Sequence, residues 1–188
     1  MFPRETYVRR REALATRFEE GLLLLPGNGE SPANYADNCY PFRQDSTFLY
    51  YVGLDQPDLA AVIDVDAGET TVFGDELTID HIVWMGDLPT IAERAGQAGV
   101  ARTRPMADLA GVVAQALAAG RPVRYLPPYR GERILLLSRL LGVPPDRVAA
   151  GASLDFIRAV VDQRAIKSAE GIAQIELADY MRIVNVNQ

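Results

Sequence analysis

The sequence is poor in cysteine and histidine, with one of each among its 188 residues, Cys39 and His81. One cysteine excludes a disulfide framework and fits a reducing compartment. A catalytic thiol would need His81 as its partner, and no local pattern brings the two together. We therefore expect Cys39 to be a small buried hydrophobic residue. A metal site needs several converging ligands, and one histidine cannot supply the usual set.

An excess of positive charge is also absent. The chain has 19 Lys and Arg against 25 Asp and Glu, which gives a formal net charge of −6 and a pI of about 4.9. Because phosphate binding requires a clustered basic surface, we expect no nucleic-acid partner. The one basic run, Arg9-Arg10-Arg11, lies between Glu5 and Glu12 and is predicted to form the solvated face of a helix.

Long hydrophobic runs are missing. The leucine run at 22–25 is far too short to span a bilayer, and the N-terminus lacks the apolar core of a signal peptide. We therefore expect that the protein has no membrane partner and that it is cytoplasmic.

Sequence motifs that carry catalysis are absent as well. The sequence contains no Gly-rich phosphate loop of the Walker or Rossmann type, and no GxSxG, HExxH or CxxC. Several carboxylates recur along one part of the chain, and turn and edge positions account for them more simply than a metal does: Asp64, Asp66, Asp75, Glu76 and Asp80. We assign no catalytic residue and no metal ligand.

The apolar pattern predicts an α/β fold, with a mixed β-sheet flanked by helices. A first helix is predicted over 3–18 because Tyr7, Leu14 and Phe18 share one face, and a short buried strand follows it. A hairpin is predicted next, with strands at 59–64 and 70–73. The second half alternates, with predicted helices at 90–99, 106–120, 131–142 and 153–164 and a strand at 122–128.

The stretch YPFRQDSTFLYYVGLDQP, residues 40–57, combines five aromatic residues with a polar triplet. It is either a buried strand with a structural polar network or the wall of a binding site. The spacing of Phe42, Phe48, Tyr50 and Tyr51 favours a strand packed on both faces. We expect Arg43, Gln44 and Asp45 to form the structural polar network, with Arg43 and Asp45 as an ion pair, because a buried charge must be paired and hydrogen-bonded.

The last segment, AIKSAEGIAQIELADYMRIVNVNQ, begins like a helix and shows no stop signal before Gln188. It is either a frayed terminal helix or the beginning of a domain that the chain does not include. The second interpretation predicts that the chain is part of a longer protein.

Three segments resemble the aminopeptidase P family, the Xaa-Pro aminopeptidases. YPFRQDSTFLYYVGLDQPDLAAVI resembles the hallmark of the family's N-terminal domain, in which Arg-Gln-Asn/Asp-Ser and an aromatic run precede a glycine, a proline and a β-strand. YVRRREALATRF resembles the family's first helix, and RAIKSAEGIAQIELA resembles its junction with the catalytic domain. The last two segments are shared more widely with prolidases and creatinases.

The resemblance implies a ribonuclease H-like fold, that of the creatinase/prolidase N-terminal domain, over residues 1–163. It also implies a linker and the first helix of a truncated pita-bread catalytic domain over 164–188. That catalytic domain would bind two divalent metal ions, commonly manganese, and hydrolyse the bond before proline. None of its ligands maps onto this chain, so we expect the 188 residues alone to be inactive.

For the longer protein, the resemblance implies proline-containing peptides as substrates and assembly as a homodimer or homotetramer. An aromatic residue of the N-terminal domain reaches a neighbouring subunit's cleft in the family, and Trp84 is the matching residue. The alternative is that Trp84 packs in the core, the usual fate of a lone tryptophan.

Two other functions remain open. The longer protein is either a peptidase or a non-catalytic module of the same fold that only binds peptides or proteins. A prolidase or a creatinase is a further alternative, and the Arg-Gln-Asp-Ser segment argues more strongly against creatinase than against prolidase. The presence or loss of metal ligands beyond Gln188 would distinguish an enzyme from a binding module.

Overall fold

The computed structural model describes residues 2–35, 38–76 and 89–165. In these residues one mixed sheet contains β1 (Leu22–Pro26), β2 (Ala60–Asp64), β3 (Glu69–Phe73), β4 (Arg102–Arg104) and β5 (Val123–Tyr125). The strand order is β4-β3-β2-β1-β5. β2 is antiparallel to both of its neighbours, whereas β1 and β5, and likewise β3 and β4, are parallel pairs. The predicted mixed sheet is confirmed.

Helices pack on both faces of this sheet. They are α1 (Arg4–Ala15), α2 (Ser46–Val52), α3 (Ile91–Gln97), α4 (Asp108–Ala118), α5 (Gly131–Leu141), α6 (Pro145–Val148) and α7 (Leu154–Ala165). Leu23 and Leu25 of β1 pack with residues of α1, α2, α3 and α7, whereas Leu22 and Leu24 pack with residues of α4, α5 and α6. A strand that is buried on both faces has no polar side to display, which is why β1 is a continuous apolar run.

Most predicted elements are present. The first helix, the strand at the leucine run and the hairpin are confirmed. Strand β4 and the four-residue helix α6 were not predicted. Strand β4 is the sequence Arg-Thr-Arg, and among the described strands it lies at one edge of the sheet and pairs with β3 alone. With no buried residue of its own, it carries no apolar alternation that a sequence reading could detect.

The strand predicted within 40–57 is wrong, because residues 46–52 form helix α2. The Asp45 side chain caps this helix by accepting hydrogen bonds from the backbone N–H groups of Thr47 and Phe48, at 2.9 and 2.8 Å. Gly53 ends it in the left-handed region with φ 77°, a conformation that glycine adopts without steric cost. The high β-propensity of the aromatic residues favoured a strand, but the two end signals decide the structure.

Some predictions concern residues outside the described ranges. Trp84 and His81 lie within 77–88, and the proposed linker and catalytic-domain helix lie almost entirely in 166–188. Helix α7 continues through Ala165, so the domain boundary at 163 stays a prediction. None of the helices in the described part of the chain is long and apolar enough to cross a membrane.

Candidate functional site

The parallel strands β1 and β5 end at the same edge of the sheet, and the chain leaves both strands through irregular segments. Gly27 and Asn28 follow β1, and Leu126 to Tyr129 follow β5. Edges at the carboxyl ends of parallel strands are common positions for functional groups in α/β proteins. The segment before α2 packs into this edge and brings the predicted polar triplet with it.

Asn28 and Gln44 form the centre of a polar network there. Asn28 is 1% exposed, its backbone N–H donates to Gln44 Oε1 at 2.7 Å, and its Nδ2 donates to the Arg43 carbonyl at 2.8 Å. Gln44 Oε1 also accepts from the backbone N–H of Asp45 at 2.8 Å, and Gln44 Nε2 donates to the Gln56 carbonyl at 2.7 Å. Gln44 therefore ties together three loop segments whose buried backbone groups would otherwise lack partners.

The charged partner of Asp45 is Arg133 of α5 rather than Arg43. Arg133 Nη1 donates to Asp45 Oδ2 at 3.2 Å, and Arg133 Nε donates to the Gly27 carbonyl at 3.3 Å. Both side chains of this ion pair are buried, whereas Arg43 is exposed. Asp45 thus forms its ion pair with Arg133 and not, as predicted, with Arg43. The Asp45 side chain is buried where it caps α2, whereas Arg43, two residues earlier, is exposed.

A second buried arginine holds the other end of α2. Arg11 Nη1 donates to the Tyr51 carbonyl at 2.8 Å, and its Nη2 donates to the carbonyls of Ala98 and Gly99 at 2.9 and 3.0 Å. These acceptors lie at the C-terminal ends of α2 and α3, where carbonyls lack intrahelical partners and carry partial negative charge. Burial is the main cause that lowers the pKa of Arg11 to about 10.

The prediction that Arg9-Arg10-Arg11 forms a solvated face is therefore wrong for Arg11, which is 5% exposed. A signal for this exists in the sequence. Arg11 follows Tyr7 by four residues and precedes Leu14 by three, so it lies on the apolar face of α1. Arg133 has the same relation to the buried Leu137, four residues later in α5.

The aromatic residues of α2 mostly belong to the core. Phe48 and Tyr51 are fully buried, and the Tyr51 hydroxyl donates to Gln163 Oε1 at 3.1 Å. Burial, more than any neighbouring charge, raises the pKa of Tyr51. Tyr50 is half-buried under the Arg10 guanidinium, whose Cζ lies 3.9 Å from the ring centroid. Of the two interpretations of 40–57, the structural one fits these aromatic residues.

The acidic groups beside this edge include Asp58, which follows the stretch 40–57. Its backbone N–H donates to the Asn28 carbonyl at 3.0 Å, and its φ of 57° places a non-glycine residue in the left-handed region. Burial is the main cause that raises the pKa of Asp58, and Glu30 and Glu132 add to it.

Cys39 is half-buried, rather than buried as was predicted for it, and its Sγ lies 3.6 Å from Glu30 Oε2.

The described residues do not fit a metal centre. Within residues 2–35, 38–76 and 89–165, no group of three or more His, Cys, Asp or Glu is placed to hold a metal ion. The network at the sheet edge consists of hydrogen bonds and one ion pair, which fix the positions of loops. It resembles a structural junction more than a catalytic centre, which would need a nucleophile beside a base or an open metal position.

A family model described as the aminopeptidase P N-terminal domain matches residues 7–125. This range is more than half of the 188 residues, and it contains α2, the polar triplet and every strand described above. The chain belongs to the aminopeptidase P N-terminal domain family. The resemblance found in the sequence is thereby confirmed.

Two curated relatives of this family member are enzymes named for Xaa-Pro substrates. A probable Xaa-Pro aminopeptidase of Aspergillus flavus is 32% identical over 100 residues, which cover 53% of this chain and 20% of that protein. A human Xaa-Pro dipeptidase is 36% identical over 67 residues, which cover 36% of this chain and 14% of that protein. The matched stretches thus span a fifth or less of the relatives' own length.

Solved structures of aminopeptidase P share the fold. The Escherichia coli enzyme matches with a TM-score of 0.72 at 22% identity, covering 92% of this chain and 41% of that chain. The same enzyme has been solved in a zinc-substituted form in complex with product. At this identity the likeness shows the fold alone, and it agrees with the mixed sheet and flanking helices predicted from the sequence.

Proposed function

We propose that this chain is the N-terminal, non-catalytic part of a Xaa-Pro aminopeptidase, a hydrolase that removes the N-terminal residue before proline. The family match over residues 7–125 carries the proposal. The Aspergillus relative, which bears the name of this activity, supports it further. Because the chain corresponds to 41% of the Escherichia coli enzyme, we assign peptide hydrolysis to a further domain that begins within 164–188.

The proposed metal chemistry also belongs to that further domain. A zinc-substituted form of the Escherichia coli enzyme supports a divalent metal, and the resemblance favours two manganese ions. When bound, such ions would polarise the scissile carbonyl and activate water. The described residues of this chain offer no group that would hold them.

We assign a supporting role to the N-terminal domain itself. Arg133 joins the N-terminal end of α2 to the segment after β1, and Arg11 joins its C-terminal end to α1 and to the end of α3. These contacts would give the domain a rigid edge on which an active-site cleft can be built. We further propose that the domain mediates assembly into dimers or tetramers. Trp84 would then reach the substrate cleft of a neighbouring subunit, a role that rests on the resemblance.

A prolidase is the second candidate for the longer protein. The human Xaa-Pro dipeptidase has the higher identity of the two relatives described, although over a shorter stretch. An aminopeptidase accepts tripeptides and longer chains. A dipeptidase instead requires that the proline is the last residue and carries the free carboxylate itself. Substrate length therefore distinguishes the two candidates.

The test is an assay of the longer protein on matched substrates, Gly-Pro-Leu and Gly-Pro, with manganese added and with a chelator as control. We expect glycine release from the tripeptide, its loss with the chelator, and none from the 188-residue chain alone. Release from the dipeptide only would favour the prolidase. Metal-dependent hydrolysis by the 188-residue chain, above a metal-free control, would overturn the assignment of catalysis to another domain.

Trp84 is tested in the same longer protein by comparing Trp84→Ala with Trp84→Phe. If Trp84 lines a neighbour's cleft, the alanine variant lowers kcat/KM while the unfolding transition stays unchanged, and phenylalanine restores part of the activity. If Trp84 packs in the core, alanine instead costs about 3–5 kcal/mol of stability. A fully active monomer would also contradict the cleft role.

A further inference from the structure

The loop after β1 contains the one Asn-Gly pair of the sequence, Asn28-Gly29. Such a pair is chemically unstable, because the backbone nitrogen of the glycine can attack Cγ of the asparagine and no side chain hinders its approach. A bond forms between Gly29 N and Asn28 Cγ, the Cγ–Nδ2 bond breaks, and the proton of the Gly29 N–H leaves with Nδ2 as ammonia. Water then opens the five-membered ring at one of its two carbonyls and gives aspartate or isoaspartate.

The fold holds the Asn28 side chain in hydrogen bonds that this reaction would break. Asn28 is 1% exposed, and its Nδ2 donates to the Arg43 carbonyl at 2.8 Å and to the Tyr129 hydroxyl at 3.2 Å. Its backbone N–H donates to Gln44 Oε1 at 2.7 Å, which restrains rotation of the backbone beside Gly29. Ring formation removes Nδ2 and needs water to take up the Gly29 proton, so it requires an opening of the polar network.

The product would not fit the closed network. An aspartate in place of Asn28 has no side-chain N–H to donate to the Arg43 carbonyl, because a carboxylate only accepts. It would also bring a negative charge near the carboxylate of Asp58, whose Oδ1 lies 2.7 Å from the position of a Cβ built on Gly29. An isoaspartate adds a methylene to the backbone and displaces the Gly29 carbonyl, which accepts from Arg130 Nη1 at 3.1 Å.

We propose that Asn28-Gly29 is a deamidation site that reacts only when the polar network around Asn28 and Gln44 opens, and that the reaction keeps the network open. The opening needs only the loops at this edge of the sheet. Gly29 is half-buried, Glu30 is exposed, and the Tyr129 side of the network is 66% exposed. Segments with exposed surface open locally at a lower free energy than the whole domain unfolds. The proposal concerns this chain alone and does not depend on the peptidase assignment.

The test compares deamidation of the full 188-residue chain in its native state and in urea, at the same pH and temperature. Mass spectrometry of the tryptic peptide 18–43, with fragmentation to locate the site, gives both rates. We expect the native rate to be about 100-fold lower, because opening breaks several buried hydrogen bonds. Hydrogen exchange of the Asn28 amide should be slowed by the same factor. Equal deamidation rates in the two states, or a slowing that differs from the exchange protection by more than about tenfold, would overturn the proposal.

Gln44→Met and Val113→Ala separate local opening from global unfolding. Gln44→Met removes the acceptor of the Asn28 N–H, whereas Val113→Ala creates a cavity in α4, which contributes no residue to the network. We expect native deamidation to become about tenfold faster in Gln44→Met and to stay unchanged in Val113→Ala. Equal acceleration in both variants would indicate global unfolding and contradict the proposal. If Gln44→Met does not fold, Tyr129→Phe, which removes a partner of Nδ2, takes its place with a several-fold acceleration.

The second half of the proposal, that the product keeps the network open, is tested with Asn28→Asp. The matched control is Asn38→Asp, because Asn38 is exposed. The readout is hydrogen exchange of the Asp45 amide, which donates to Gln44 Oε1 at 2.8 Å in the closed network. We expect exchange about tenfold faster in Asn28→Asp and unchanged in Asn38→Asp. Unchanged exchange in Asn28→Asp would overturn the claim that deamidation prevents closure.

Discussion

The two ends of α2 are both held by a buried arginine, but by different chemistry. At the N-terminal end, Asp45 caps the helix and forms an ion pair with Arg133. At the C-terminal end, Arg11 donates to three backbone carbonyls of the described residues, one in α2 and two directly after α3. Each end thus meets a charge of the sign that the helix dipole favours, an anion at the N-terminus and a cation at the C-terminus.

Because the two ends are held by different groups, a substitution at each end leaves a different kind of buried group without a partner. Removing either partner of the Asp45–Arg133 pair leaves a buried, uncompensated charge, which is the most costly defect. Removing Arg11 leaves neutral carbonyls without donors, which costs less for each group but affects three groups together. We therefore expect the N-terminal end to be the more sensitive of the two.

The largest effect is expected for Asp45→Ala. This change removes the helix cap, worth about 1 kcal/mol, and leaves Arg133 buried without its carboxylate, for a total loss of about 4 kcal/mol. Arg43→Ala, at the exposed position in the same triplet, is the control and should cost less than about 0.5 kcal/mol. Urea unfolding of the two variants measures both values, and equal losses would contradict the structural assignment.

Arg11→Met is expected to cost somewhat less, about 3 kcal/mol, because the methionine fills the space of the stem but leaves three buried carbonyls without a donor. Arg9→Met, at an exposed position of the same helix, is the matched control. Hydrogen exchange gives a second readout, since the ends of α2 and α3 should lose protection together in Arg11→Met. A loss confined to α1 would contradict the proposed link.

The sequence allowed most of the fold to be predicted, but neither arginine. Strand β1 and the hairpin were identified because apolar runs and turn residues are local signals. Asp45 precedes α2 as a local cap signal, yet its partner Arg133 lies 88 residues away. The partners of Arg11 are backbone carbonyls. Because every residue has a backbone carbonyl, the sequence gives no sign of which ones accept from Arg11. Only its place on the apolar face of α1 indicates that it is buried.

Gly53→Ala tests the C-terminal end of α2 through a different contact, the close approach of Gly53 to the Tyr7 ring of α1. A Cβ at Gly53 would lie 2.5 Å from Tyr7 Cζ, and the φ of 77° adds left-handed strain, so we expect a loss of about 2–3 kcal/mol. Gly142→Ala is the control, since Gly142 has a φ of 65° but no heavy atom within 4 Å of the added Cβ. It should lose about 1 kcal/mol through strain alone. Thermal unfolding that shows no difference between the two would argue against the tight contact.

The smallest expected effect is a pH-dependent gain in the thermal stability of the Asp58→Asn variant. Burial raises the pKa of Asp58, so the folded state holds this proton more tightly than the unfolded state, whose pKa is about 3.9. The native side chain therefore lowers stability progressively as the pH rises above about 4. Asparagine removes this loss and tolerates the left-handed backbone at this position. The variant should melt at a slightly higher temperature at pH 7 and at the same temperature near pH 3.

The central claim, that Arg133 rather than Arg43 neutralises the cap of α2, is tested most directly by two double-mutant cycles. One combines Asp45→Asn with Arg133→Met, and the other combines Asp45→Asn with Arg43→Met; asparagine keeps a capping oxygen and so isolates the charge. Measured by urea unfolding, the first cycle should give a coupling of about 2 kcal/mol and the second less than about 0.5 kcal/mol. Strong coupling to Arg43 together with none to Arg133 would contradict the account.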